Sequence, residues 1–262
     1  MRGVLGIVLV ARVAAADDGV ADLPQLARIE HGRSVVIVRG EVAKAKRKEA
    51  VALVDHVVAD VQHRFTDAAG DARDTPDDPV TLALLGDEKR YVEVATALDK
   101  DLPSMWGFYL PSRRVSIANL GASIGNLRHE LVHPLLGDDF PGIPAWLNEG
   151  IASLYGTARW DRDHFTFLVN YRLRDLQRAI RDGSLPTIDE LAHSTDDDVR
   201  GDRAMVFYAM SRYVLLYVEK SGKLGELYAS LRGAADTDAQ AKILAHYVDD
   251  RSFVAWARKL RY

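Results

Sequence analysis

Residues 127–150 read LRHELVHPLLGDDFPGIPAWLNEG, and this stretch restricts the fold more than any other part of the chain. His129 and His133 are four apart, so on a helix they share one face, one turn apart. Two imidazoles aimed at one point suit a tetrahedral ion such as zinc. Glu130 is rotated one residue around the same helix, which lets its carboxylate reach past that point towards a water rather than onto an ion. The alternative for these five residues alone is an amphipathic helix with two surface histidines. A zinc site with one open position takes three protein ligands. A chain that uses this pair must therefore bring a third ligand from a second element that crosses the first helix.

Glu149 is placed to be that ligand. Pro144 fits the first turn of a new helix, where its missing N–H costs nothing. Trp146, Leu147, Ile151 and Leu154 supply apolar positions on either side of Glu149. Gly150, with no Cβ, would let this helix approach the histidine-bearing one closely. A glutamate alone at such a position is more often a solvated surface residue, and the flanking PAWLNEG just after HELVH argues against that here. The spacing His129-Glu130-x-x-His133 is the H-E-x-x-H arrangement of metallopeptidases, in which the glutamate is the general base.

HELVH followed by PAWLNEGIASLY resembles the gluzincin branch of zinc metallopeptidases, in particular the peptidase MA-like domains of bacteria. That resemblance implies His129, His133 and Glu149 as ligands to one Zn2+ per chain and Glu130 as base. Upstream, GFYLPSRRVSIANL resembles the edge-strand hairpin that precedes the active-site helix. Downstream, FYAMSRYVLLYVEKSGKLGELYASL resembles the tyrosine-bearing helix of that group, which makes Tyr208 the candidate to stabilise an oxyanion, with Tyr155 and His164 as rivals. The resemblance covers residues from about 80 to 258. Three features depart from it or strain it. The loop between His133 and Glu149 is short and must turn tightly. Ser153 stands where many gluzincins carry an acidic residue that orients a ligand histidine, so another acceptor has to do that work. Pro134 follows His133 directly, removes a helical N–H and disfavours helix at the preceding residue, so the helix is expected to kink or end within a turn.

The remainder of the chain sets limits. With 262 residues, 48% hydrophobic and 27% charged, it is long enough to bury a sizeable core in one or two lobes. A formal charge of −4 offers no basic footprint for nucleic acid. No cysteine is present, which excludes disulfides and thiolate ligands. No apolar run reaches the length of a membrane span. The opening MRGVLGIVLVARVAAADDG has a basic start, an apolar stretch interrupted by Arg12, and small residues before Asp17, so residues 1–16 read as a signal peptide for export to the periplasm, the envelope or the medium.

Residues 34–40 read as a strand and 41–66 as a long amphipathic helix with the stripe Ala50, Val54, Val57, Val61 and Phe65. His56 and His63 lie two turns apart on that helix, about 10 Å, too far for one ion, and read as solvated. The acidic stretch 67–79 lacks EF-hand spacing and reads as a solvated loop. A strand at 80–86, a helix near 88–98 and a hairpin around PSR follow. After Pro144 nearly everything reads as helix: 144–156, 165–182, 187–193, 202–220, 223–232, 236–247 and 251–260. The expectation is an α+β fold. Its zincin-like form, implied by the resemblance, has a mixed β-sheet N-terminal lobe carrying the active-site helix (17–143) and a mostly α-helical C-terminal lobe (144–262), together one domain. A cleft between lobes is the natural site, with Asn119, Trp146 and Asn148 as candidate lining residues and the RRVSIAN strand as an edge for peptide addition. The function expected is zinc-dependent hydrolysis of a peptide or protein substrate. The rival is a zinc-containing binding or structural module of the cell envelope, which would have no need of Glu130.

Overall fold

A computed structural model describes residues 19–67, 78–102 and 104–262; the segment read as a signal peptide and most of the acidic 67–79 loop lie outside the described residues. Strands β1 (Gln25–His31), β2 (Ser34–Glu41), β3 (Val80–Leu85), β4 (Gly107–Leu110) and β5 (Val115–Asn119) form one sheet in the order β1-β2-β3-β5-β4. It is mixed: β2, β3 and β5 run parallel, while β1 and β4 are antiparallel to their neighbours. The period-two alternation of β3 and β5 divides the apolar residues between two faces. Leu82, Leu84 and Ala118 face the main core, and Ala83, Leu85 and Ile117 face a smaller one built on helix α2 (Glu88–Leu98). The main core takes in helix α1 (Lys44–Val61) and continues into the helices after residue 144.

Helix α3 (Ile124–Asp139), started by Ser123 accepting from the Gly125 N–H, lies on β5, and α4 (Ala145–Gly156) packs across it. A hairpin of β6 (Arg159–Asp161) and β7 (His164–Thr166) then leads to α5 (Leu173–Asp182), α6 (Ile188–Ala192), α7 (Asp196–Arg200), α8 (Ala204–Glu219), α9 (Leu224–Arg232), α10 (Thr237–Tyr247) and α11 (Asp250–Ala257). The coarse expectation of a mixed sheet followed by a helical region therefore matches the architecture.

Several expectations are corrected. The helix expected over 165–182 begins only at Leu173; residues 164–166 are strand instead. Phe165 and Phe167, two apart, both enter the core, which is a strand's spacing, and Asp60 on α1 accepts from the Phe165 N–H and from the Tyr155 hydroxyl, fastening the hairpin to α1. The RRVSIAN segment is not an edge: β5 lies between β3 and β4, and β4 carries the free edge on that side. His56 is not simply solvated, since its ring stacks at 4.0 Å on Trp160; His63 is exposed, as expected.

Pro134 neither ends α3 nor stops it within a turn, because the helix runs on to Asp139. A proline at this position deprives the Glu130 carbonyl of its usual N–H donor. The hydroxyl of Ser116, buried on β5, donates to that carbonyl at 2.8 Å and replaces the missing bond. Ser116→Ala leaves a buried acceptor unsatisfied, so we expect a loss of about 1–3 kcal/mol of stability by denaturant unfolding. An unaltered unfolding midpoint would mean that the carbonyl is satisfied in some other way. The far end of α3 is held by Asp139, which accepts from Arg33, Arg232 and the Tyr228 hydroxyl at 2.8–3.0 Å. With α3 extended to Asp139, the connection to α4 shrinks to Phe140–Pro144, turned by Gly142 at φ +78°.

Candidate metal centre

α3 and α4 bring His129, Glu130, His133 and Glu149 together. The two imidazoles meet edge to face with centroids 4.9 Å apart. Ligand atoms of His129, Glu130 and His133 lie within 4.8 Å of one another, and these three residues can hold a metal ion. Glu149 is closer still to the histidines: its Oε2 lies 3.4 Å from His129 Nε2 and 3.8 Å from His133 Nε2. Two ligands about 2.0–2.1 Å from a tetrahedral ion stand roughly 3.3 Å apart. The 3.4 Å contact meets that spacing, while the 3.8 Å contact of Glu149 and the 4.0 Å contact of Glu130 Oε2 with His133 Nε2 both exceed it. Two imidazole nitrogens with carboxylate oxygens beside them make a nitrogen–oxygen donor set of the kind that holds a divalent metal ion.

The helix crossing that creates this triangle depends on a close contact elsewhere than expected. Gly150 does not face α3; a Cβ there would meet Leu215 Cδ1 at 2.7 Å and the Ser211 backbone at 3.1 Å, so Gly150 admits α8. The approach of α3 to α4 rests on Gly125, whose Cβ would fall 2.3 Å from the Gly156 carbonyl oxygen. Arg128 reinforces it, donating from Nε to Tyr155 O at 2.7 Å and from Nη2 to Gly156 O at 2.9 Å, where the C-terminus of α4 concentrates carbonyl charge. On the other side, β4 passes directly over Glu130. A Cβ on Gly107 would lie 2.5 Å from Glu130 Cγ, so only glycine permits that carboxylate its position.

The electrostatics follow from burial. Glu130 is raised to about 7, chiefly by burial; His129 opposes the rise and Glu149 adds to it. Burial alone would raise Glu149 too, but His133, then His129, and a hydrogen bond from the Tyr208 hydroxyl hold it well below the usual carboxylate range. Burial works to lower His129, yet the Glu149 hydrogen bond and the charges of Glu130 and Glu149 raise it overall. The two carboxylates thus differ in kind: Glu149 is ionised against the histidines, while Glu130 exchanges a proton near neutral pH.

Asn148 supplies the acceptor that Ser153 lacks. Its Oδ1 lies 3.0 Å from His133 Nδ1, which fixes that ring with Nε2 towards Glu149. If the site holds a metal, we expect Asn148→Ala to weaken metal affinity ten- to a hundred-fold, measured by competition with a chromophoric chelator; unchanged affinity would remove Asn148 from the site.

The other expected residues divide. Tyr208 lines the same cavity of about 1290 Å³ as the four residues above. Tyr155 is fully buried against Asp60, and His164 is exposed on the hairpin beside Asp163, so neither faces the cavity. Asn119 is buried and ties the turn before α3, with its Nδ2 on Met105 O; Trp146 is a core residue. Neither lines the cleft. Arg172 and Gly107 do line it, and the sequence reading did not reach either. The chain matches no protein-family model and no curated protein. Among the described residues no helix is long and apolar enough to cross a membrane.

Proposed function

We propose that the chain is a zinc-dependent peptidase of the gluzincin type, zincin-like in fold, with His129, His133 and Glu149 as ligands and Glu130 as general base. One observation carries the reading: two buried carboxylates of opposite electrostatic character stand at one pair of imidazoles, Glu149 at 3.4 and 3.8 Å from the two nitrogens and Glu130 at 4.0 Å from that of His133. A module that only binds zinc has no use for the second. Zinc held there would polarise the scissile carbonyl and bring an attacking water to a near-neutral pKa. Glu130 takes that water's proton and passes it to the leaving amine. The Tyr208 hydroxyl, which bonds Glu149 and lines the same cavity, is the donor that would stabilise the oxyanion.

The cavity's walls suit an extended peptide. β4 offers the free backbone edge assigned by sequence to RRVSIAN, and strand addition along it would lay a substrate over Glu130. Trp106 and Tyr171, 62% and 52% exposed, line the cavity from the β4 and α5 sides. Exposed Met105, Ile124 and Met205 each adjoin a lining residue in sequence. Apolar side chains gathered around one opening mark a binding surface.

Elemental analysis beside a casein or peptide-library assay tests the proposal. It expects close to one zinc per chain together with cleavage, whereas zinc without cleavage favours the envelope binding module. Tyr208→Phe is expected to keep its zinc and lose about a hundred-fold in kcat. A Phe variant as fast as the parent would place oxyanion stabilisation elsewhere.

A further inference from the structure

Arg172 stands in the cavity with no carboxylate of its own. It lines the same cavity as His129, Glu149 and Tyr208, and its charge is near enough to act on the His129 imidazole. Its guanidinium lies over the Tyr208 ring at 4.7 Å and over the Tyr171 ring at 5.4 Å. Among the described residues no acidic side chain pairs with it. The other arginine lining the cavity, Arg114, is already engaged, its two Nη atoms on the two oxygens of Asp138 at 2.7 and 2.8 Å.

Its position is set by the fold. Asn170, buried, accepts from the Arg172 N–H through its Oδ1, and its own backbone N–H and carbonyl both bond the Tyr213 hydroxyl on α8 at 3.0 Å. Residues 170–172 are thereby pinned to the helix that carries Tyr208. Stacking on a ring occupies the flat face of a guanidinium and leaves its N–H fork free in the plane, the geometry that grips a carboxylate with two hydrogen bonds.

Behind Arg172 lies a second cation. Arg212 is fully buried on α8 and donates only to neutral acceptors, the carbonyls of Ser153 and Leu168 and the Thr157 hydroxyl. Burial lowers it to about 10, and the neighbouring charge of Arg172 adds to the lowering. Two guanidinium groups near one another, neither paired with a carboxylate among the described residues, raise the local potential, and an anion entering the cleft relieves it.

Building on the peptidase reading, we propose that Arg172 is the residue that recognises a carboxylate of the substrate next to the bond to be cleaved. The carboxylate is either the free C-terminus of a peptide or an Asp or Glu side chain close to that bond. Both present the same planar anion to the same fork.

Matched fluorogenic peptides test it on zinc-loaded protein: one pair with a free or an amidated C-terminus, another with Glu or Gln beside the scissile bond. A charge-assisted contact of this kind is worth on the order of ten- to a hundred-fold, so kcat/KM should favour the acid member of one pair by that factor. The pair that discriminates identifies the source of the carboxylate. Arg172→Gln should bring the ratio to about one at undiminished zinc content, and Arg172→Lys should retain part of it. Binding of the same peptides to the Glu130→Gln protein, followed by fluorescence anisotropy, should show the same preference in Kd without turnover. Cleavage of both members of each pair at equal rates, or an equal loss on both in Arg172→Gln, overturns the assignment and leaves the peptidase reading standing. Arg172-dependent binding of the acid peptides by a parent protein that cleaves none of them upholds the assignment and overturns the peptidase reading. Neither cleavage nor preferential binding overturns both.

Discussion

Glu130→Gln is expected to keep its zinc and lose peptide hydrolysis by a hundred- to ten-thousand-fold. The substitution preserves the shape of the side chain under β4, where Gly107 leaves room for it, and removes only the capacity to accept a proton. General acid–base assistance accounts for a factor of that size. The ligand triangle of His129, His133 and Glu149 is untouched, so elemental analysis should return the same zinc per chain as the parent. In the metal-free protein burial raises Glu130 to about 7, so exchanging it for a neutral amide also removes a charge that the fold bears at a cost, and the stripped variant should be at least as stable as the stripped parent at alkaline pH. The sign is set by the raised value: the protonated form is favoured in the folded state, and the stability this carries fades as pH rises through 7. A Gln variant that cleaves at the parent's rate would take Glu130 out of the chemistry.

Glu149→Ala is expected to lose most of its zinc. Glu149, the proposed anionic ligand, stands 3.4 and 3.8 Å from the two imidazole nitrogens. The alanine protein keeps two neutral ligands, and a zinc site rarely holds on two. Equilibrium dialysis against buffered zinc should show occupancy falling from near one per chain to a small fraction. Full occupancy in the variant would shift the third ligand to Glu130, the carboxylate nearest to His133 after Glu149.

How far the sequence foretold this arrangement varies with the range of the interaction. The spacing of His129 and His133 is local, and helix periodicity puts them on one face; Glu149 lies on the next helix and was legible only from the motif around it. Asn148 was visible as a neighbour of Glu149, but its hold on His133 depends on how α4 crosses α3, which periodicity does not encode. Gly150 was assigned to the right kind of contact and the wrong helix, since a missing Cβ does not say which partner approaches. That Pro134 does not end the helix has its reason on another element: Ser116, eighteen residues upstream on β5, satisfies the carbonyl that the proline abandons. β1 and the β6–β7 hairpin escaped notice for a related reason. The hairpin strands are three residues each, too short for a period to be counted, and they are held by side chains of α1. Arg172 had no local signal at all. Its meaning comes from Tyr208, thirty-six residues on, and from the absence of a carboxylate beside it.

Whether an ion held between α3 and α4 would serve hydrolysis rather than architecture is decided by one titration. The parent protein is stripped with a chelator, shown by circular dichroism to remain folded, and returned to zinc in measured steps against a broad peptide library. For a zinc peptidase, cleavage disappears on stripping and returns in proportion to zinc, complete at one equivalent per chain. Cleavage that survives stripping, or a chain that regains its full equivalent of zinc and cleaves nothing in the library, would contradict the peptidase reading.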